Sequence, residues 1–305
     1  MKSPSKPSFR RNHPLPHRQR ICCAGPCVWQ PHHNHATTVP NVLVIPSIDL
    51  THGHCLRCIK GEVGTEQLYA EMSDHPVELA QLWRRENAKC IQVTDIDSFR
   101  GEVNADVLDM VVEMQRAVDI PLQVVTKQND VDAYRRLLMA GIYRVAVNTL
   151  AVTDADAVRA LLDEFGSSRV IFGLRAHNGD VDLGNEHGVM TDTDYIRRVY
   201  DLGGRRVVYT EVDWEGNLTG EDLQTIRRIA SAAPVRFTMA GGIASPQHLW
   251  EIQAAAPPNV DSVVIGRALY ENRFPCQAIW RHAEAVLEPV IHSTDVVQQS
   301  SISRL

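Results

Sequence analysis

Residues 235–271 read VRFTMAGGIASPQHLWEIQAAAPPNVDSVVIGRALYE. Two short apolar runs, Val235–Ala240 and Ser262–Gly266, flank a segment with helical spacing. Both runs are apolar on alternating faces, the pattern of parallel strands buried on both sides. Ser245-Pro246 opens the helix between them, with serine as cap and proline in the first turn. Gly241-Gly242 follows the first run, and Gly266 ends the second. This strand–helix–strand unit decides the fold, because the rest of the chain repeats it.

Toward the N-terminus the same pattern gives strands at Val42–Ile48, Cys90–Ile96, Pro121–Val125, Arg144–Asn148, Arg169–Leu174 and Arg206–Glu211. An extra run, Cys55–Ile59, is expected to form a small hairpin after the first strand. Pro76 suits the first position of a helix running to Asn87. Asn104 is expected to cap Ala105–Val118, and Thr219 with Asp222 resembles a capping box. Gly141, Gly166 and Gly203 stand where helices should stop. Eight such units predict an α/β fold, a (β/α)8 TIM barrel over residues 42–288, with 289–305 a polar tail. A doubly wound open sheet is the alternative. It wants a glycine-rich turn after the first strand, which Asp49-Leu50-Thr51-His52-Gly53 does not supply.

The 305 residues are 44% hydrophobic and 22% charged, enough apolar material for one large core. Charge is unevenly spread. Residues 1–40 hold six Lys/Arg and no acid, so they carry +6 and leave −12 on the remainder. An acidic body argues against a nucleic-acid partner. No apolar run approaches the roughly 20 residues of a membrane span, so no membrane partner is expected. Residues 1–41 are expected to be a disordered extension, rich in proline and without a hydrophobic period. Cys22, Cys23, Cys27, His32, His33 and His35 within it fit no zinc spacing, and no metal site is expected. Cys55-Leu56-Arg57-Cys58 has redox spacing, but on a strand its cysteines point to opposite faces. The expected setting is the cytoplasm and the expected state a monomer.

The chain also repeats itself at half length. Thr94-Asp95-Ile96-Asp97 reappears as Thr210-Glu211-Val212-Asp213, and Arg144–Ala151 aligns with Ser262–Leu269. Two four-stranded half-barrels are implied, each able to carry a phosphate site at its strand ends. Barrel active sites lie at those C-terminal ends. Asp49, Asp95, Asp97, Thr210 and Glu211 fall there, with Glu215 in the next loop. Carboxylates gathered at one mouth repel one another, which tunes a proton-transfer group. The glycines after strands seven and eight let backbone N–H groups approach an oxyanion, so Gly241, Gly242, Gly266 and Arg267 are the candidate phosphate residues.

Ile45-Pro46-Ser47-Ile48-Asp49-Leu50, then Gly53, Arg57 and Gly61, then Thr94-Asp95-Ile96-Asp97 with Asn104, resemble the histidine-biosynthesis barrels of the HisA/HisF family. Ala240-Gly241-Gly242-Ile243 and Ile265-Gly266-Arg267-Ala268-Leu269-Tyr270-Glu271 resemble its isomerase branch most. The likeness runs from about Val42 to Ala285. It implies an Amadori rearrangement, from aminoaldose to aminoketose, of a phosphoribosyl aminoimidazole carboxamide ribotide, without metal or organic cofactor. It implies Asp49, Thr210 and Glu215 as catalytic residues. Arg57, Asp95, Gly241, Gly242, Gly266, Arg267, Lys127 and Arg175 are the expected contacts to a small phosphorylated sugar substrate.

Three departures stand out. Arg175 replaces the family's strand-five aspartate and cannot exchange a proton at neutral pH. Val125-Thr126-Lys127 replaces a triple glycine, closing the first-half phosphate loop to backbone approach. Glu215 replaces an aspartate in the loop after strand six. Two alternatives therefore stand beside the isomerase: a paralogue acting on a different sugar phosphate, and a non-catalytic phosphate-binding relative.

Overall fold

The computed structural model describes residues 42–56, 72–102, 105–183, 187–215, 222–271 and 273–274. The extension 1–41 with its Cys/His cluster, the tail 289–305, and Arg57, Cys58, Gly61, Asn104 and Thr219 lie outside the described residues.

Eight parallel strands alternate with helices. The strands are β1 (Leu43–Thr51), β3 (Ile91–Asp95), β4 (Leu122–Val125), β5 (Arg144–Val147), β6 (Val170–Ala176), β9 (Arg206–Glu211), β10 (Arg236–Ala240) and β11 (Val260–Ile265). They pair in chain order, and β11 returns to β1 with Leu43 opposite Ser262 and Pro46 opposite Ile265, closing the barrel. β2 (His54–Cys55) turns back antiparallel on β1, a small hairpin that shares only Cys55 with the expected run Cys55–Ile59, whose residues 57–59 lie outside the described residues. The described helices are α1 (Pro76–Arg85), α2 (Ala105–Ala117), α3 (Val131–Met139), α4 (Leu150–Thr153), α5 (Ala155–Phe165), α6 (Asp192–Asp201), α7 (Leu223–Ala230), α8 (Pro246–Ala255) and α9 (Arg267–Tyr270).

Strand alternation sorts side chains into two cores. Inward-facing Ile45, Cys90, Val125, Ala146, Ile171, Val208, Ala240 and Val264 form a small cluster inside the barrel, one residue at each strand. Their neighbours in sequence, such as Ile91, Val124, Phe172 and Met239, face outward and pack under the helices in a much larger cluster. Below the inner cluster the interior turns polar. Arg206 makes a two-pronged ion pair with Asp261 at 2.6 and 2.7 Å and also donates to Thr238 and Ser262. This lower end belongs to stability, and chemistry is left to the other end.

Local signals account for the helix ends. Pro76 opens α1 and Ser245 caps α8, its hydroxyl accepting from the His248 N–H. Asp130 and Asp154 cap α3 and α5 in the same way. Asp222 is itself the cap of α7, accepting from the Gln224 and Thr225 N–H groups, where it was expected as the third-residue partner of a capping box. Gly141, Gly166 and Gly203 all have positive φ at helix ends. One element escapes the eightfold pattern. β7 (Asp180–Asp182) and β8 (Val189–Thr191) form an antiparallel ribbon after β6.

Candidate active site

A cavity of about 600 Å³ opens at the C-terminal ends of the strands. Asp49, Lys127, Arg175, Thr210, Glu215, Gly241, Gly242, Gly266 and Arg267 all line it. Inward parity puts them there. Asp49 follows Ile45 and Ser47 on the inner face of β1, and Arg175 follows Ile171 and Gly173 on that of β6. With three strands between them on either path, Asp49 and Arg175 stand across the barrel from each other. Asp49 is 7% exposed and accepts from the Ser47 hydroxyl at 2.7 Å.

Arg175 was expected to hold a substrate anion. Instead its guanidinium makes two hydrogen bonds to the Glu215 carboxylate, at 3.0 and 2.7 Å. The charge also lies over the Phe99 ring, 5.5 Å from its centroid, a cation–π contact. The guanidinium fork matches a carboxylate edge, so the pairing follows from the two groups once strand and loop meet. Thr210 lies opposite Arg175 in the β6–β9 register and is 9% exposed.

Gly241 and Gly242 have φ of +98° and +79°, a left-handed backbone that side chains disfavour. A Cβ on Gly241 would lie 3.4 Å from the Glu215 N–H nitrogen, so the Glu215 loop packs directly against this glycine. Gly266 approaches Ser47, where a Cβ would lie 3.6 Å from the serine Cβ. The Arg267 guanidinium is paired with Glu271, leaving its backbone as the group suited to an oxyanion.

The matching loop after β4 is built differently. The Lys127 N–H donates to the Ser98 hydroxyl at 2.9 Å, and the Gln128 N–H donates to the Tyr134 hydroxyl at 3.3 Å. Tyr134 in turn donates to the Thr126 carbonyl at 2.8 Å. Burial pushes the Tyr134 pKa up to about 12, so it stays a donor. With Asp130 capping α3, these backbone donors are already engaged. Lys127 lines the cavity and brings the cation expected on this side.

Asp95 corrects another expectation. It follows inward-facing Thr94, so it points out of the barrel, is 1% exposed, and does not line the cavity. Its carboxylate accepts from the Thr126 hydroxyl at 2.9 Å and from the Ser98 N–H at 3.3 Å. Burial raises its pKa, and these bonds offset that only in part. Asp97 accepts from the Thr51 hydroxyl and the His52 N–H. Burial alone would raise its pKa, yet those donors hold it below the usual carboxylate range. Glu211 points outward too, toward Tyr209 and the Asn178 N–H. Of the acids expected at the mouth, Asp49 and Glu215 line the cavity and Asp95 and Glu211 do not.

Ligand atoms of His52, Asp97 and Glu102, and of His177, Glu211 and Asp213, come within 4.8 Å of one another. In each trio the buried carboxylate already accepts bonds that fix a loop, a role that explains it without a metal.

Two site features were missed from sequence. Phe99 backs Arg175 from the loop after β3. His177, Asp180, Val181 and Asp182, from the β7 side, also line the cavity. Asn178 and Gly179, with φ of 51° and 83°, turn the chain between His177 and Asp180. An Asn-Gly pair is a strong hairpin signal, and it could have found this ribbon.

The family model described as "Histidine biosynthesis protein" matches residues 43–275. A Salinibacter ruber protein is 36% identical over 241 residues, covering 78% of this chain and 92% of that one. A Chlorobium phaeovibrioides protein is 34% identical over 247 residues, covering 80% and 94%. Both are named 1-(5-phosphoribosyl)-5-((5-phosphoribosylamino)methylideneamino) imidazole-4-carboxamide isomerase. A Chlorobium chlorochromatii protein with the same name is 32% identical over its whole length. A closed barrel, a carboxylate on its first strand and a glycine loop on its seventh are thus found in a chain that belongs to the histidine-biosynthesis protein family.

Proposed function

We infer that this chain is the isomerase its relatives are named for, rearranging the phosphoribosylamino group of an imidazole carboxamide ribotide from aminoaldose to aminoketose in histidine biosynthesis. The observation that carries the reading is the pair of carboxylates, Asp49 and Glu215, on one cavity that also receives the Gly241-Gly242 loop. The reaction moves protons only. Protonation of the ring oxygen opens the ribose to an imine at C1. Removal of the C2 proton gives an enolamine, which tautomerises to the ketose, with no net gain or loss of atoms. One acid and one base suffice. Asp49 is assigned to one proton transfer and Glu215 to the other. Thr210 hydrogen-bonds the sugar between them, and Gly241, Gly242, Gly266 and the Arg267 backbone receive a phosphate. The protein acts as a monomer in the cytoplasm.

Purified full-length chain incubated with the two-phosphoribosyl ribotide should convert it to the ketose. Absence of turnover in an assay that a relative passes would sink the reading. Sedimentation of the same sample checks the monomer. One observation favours a second reading, a singly phosphorylated sugar as substrate: the backbone donors after β4 are engaged within the protein.

A further inference from the structure

The barrel offers an inward strand-end acid on one side alone. β1 and β6 occupy matching places in the two halves, Ile45 and Ile171 both lie in the inner cluster, and four residues on stand Asp49 and Arg175. A second carboxylate must therefore come from outside the barrel strands: exposed Asp180 and Asp182 on β7 reach the cavity rim, and Glu215, held by an arginine, closes the short helical turn Val212–Trp214. A glutamate there has three side-chain torsions and no strand to fix them. Three features fix it instead. The Arg175 fork takes both carboxylate oxygens, at 3.0 and 2.7 Å. Phe99 stacks behind the fork at 5.5 Å. The Glu215 backbone packs against Gly241, where a Cβ would lie 3.4 Å from the Glu215 nitrogen. Glu215 and Arg175 are each about one-third exposed, at 33% and 36%, so the pair faces the cavity without being sealed from it.

We propose that Arg175 is a positioning residue, which sets the Glu215 carboxylate over the sugar in place of the strand acid that β6 lacks. The proposal rests on the isomerase reading. It gives Arg175 a role opposite to a lost catalytic group: the arginine is what makes the loop acid usable. It also separates Arg175 from Lys127, which has no such carboxylate partner among the described residues and remains a cation for the ligand.

Arg175→Ala should lower kcat by about a hundredfold, the usual scale for a reacting group displaced by an ångström, with KM changed less than about threefold. Millimolar guanidinium ion should restore part of that kcat, and Arg175→Lys should fall between the two. Arg175→Asp should be no better than Arg175→Ala, because a second carboxylate repels Glu215. An Arg175→Asp variant as active as wild type would overturn the proposal, and so would an Arg175→Ala effect confined to KM. Phenylglyoxal labelling, mapped by mass spectrometry, tests the pair without turnover. Arg175 should be modified several times faster in Glu215→Gln than in wild type, and equal rates would count against the pairing. An inert wild type with a protected Arg175 defeats the isomerase reading alone. A working isomerase indifferent to Arg175→Asp defeats the positioning role alone.

Discussion

Asp49 is a nearly buried carboxylate that takes a hydroxyl donor from Ser47 and faces the cavity. Removing its proton chemistry while keeping its shape isolates its role. Asp49→Asn should lower kcat about a thousandfold, within the usual range for general acid–base catalysis, and leave the melting temperature within a few degrees. Steady-state kinetics and a thermal scan check both parts. Thr210→Val removes a hydroxyl from the same rim and should cost about tenfold in kcat/KM, near 1.4 kcal/mol, roughly one hydrogen bond. At this scale the sequence told part of the story. Asp49 and Thr210 sit where strand ends place them. Asp95 was misassigned because a strand end alone does not say which face a residue takes. Counting parity from Gln92 and Thr94 would have turned it outward. The Arg175–Glu215 bond was hidden for another reason. It joins residues 40 positions apart, and no local pattern marks such a meeting.

Among elements, the loops after β4 and β10 are the instructive contrast, since they are equivalent in the two halves and opposite in what they offer. The β10 loop has two left-handed glycines, whereas the β4 loop has Thr126 fully buried and its following N–H groups already bonded. A phosphate on the β4 side therefore meets the Lys127 ammonium, a point charge that salt screens. Ribose 5-phosphate should bind nearly as well as the two-phosphoribosyl ribotide. Lys127→Ala should weaken the ribotide alone. Gly242→Val, a β-branched residue forced to φ near +79°, should abolish binding of both. Calorimetry at low and moderate salt decides this. A ribotide bound more than about a hundredfold tighter, some 2.7 kcal/mol, and insensitive to salt would show an intact second phosphate site. Strands were easily read, since each is a short apolar run. The β7–β8 ribbon was missed because its two strands are only three residues each, too short for a period to show, although Asn178-Gly179 marks a turn just before it.

For the whole molecule, the lower end of the barrel ties the last strands together. Asp261 on β11 pairs with Arg206 on β9 and with Arg236 on β10. Burial by itself would raise the Asp261 pKa, but the Arg206 and Arg236 guanidiniums hold it below the usual carboxylate range. A depressed folded-state pKa contributes stability above the unfolded value and loses it as pH falls through the folded one. Asp261→Asn should thus cost about 3 kcal/mol near pH 7, the scale of a broken half-buried ion pair, and the deficit should shrink in acid. Urea titrations of both proteins across pH check the sign, and a deficit that grows on acidification would refute it. The barrel was legible because eight units share one pattern, while its ionic base was not, being assembled from strand beginnings far apart in sequence. Its closure has a consequence during synthesis. Leu43 finds its ladder partner only at Ser262. On the ribosome, then, β1 is made first and must wait for nearly the last strand before its outer edge is covered. The nascent chain spends most of its translation with an open apolar edge, the form most prone to pairing with another chain and the one a chaperone would have reason to hold.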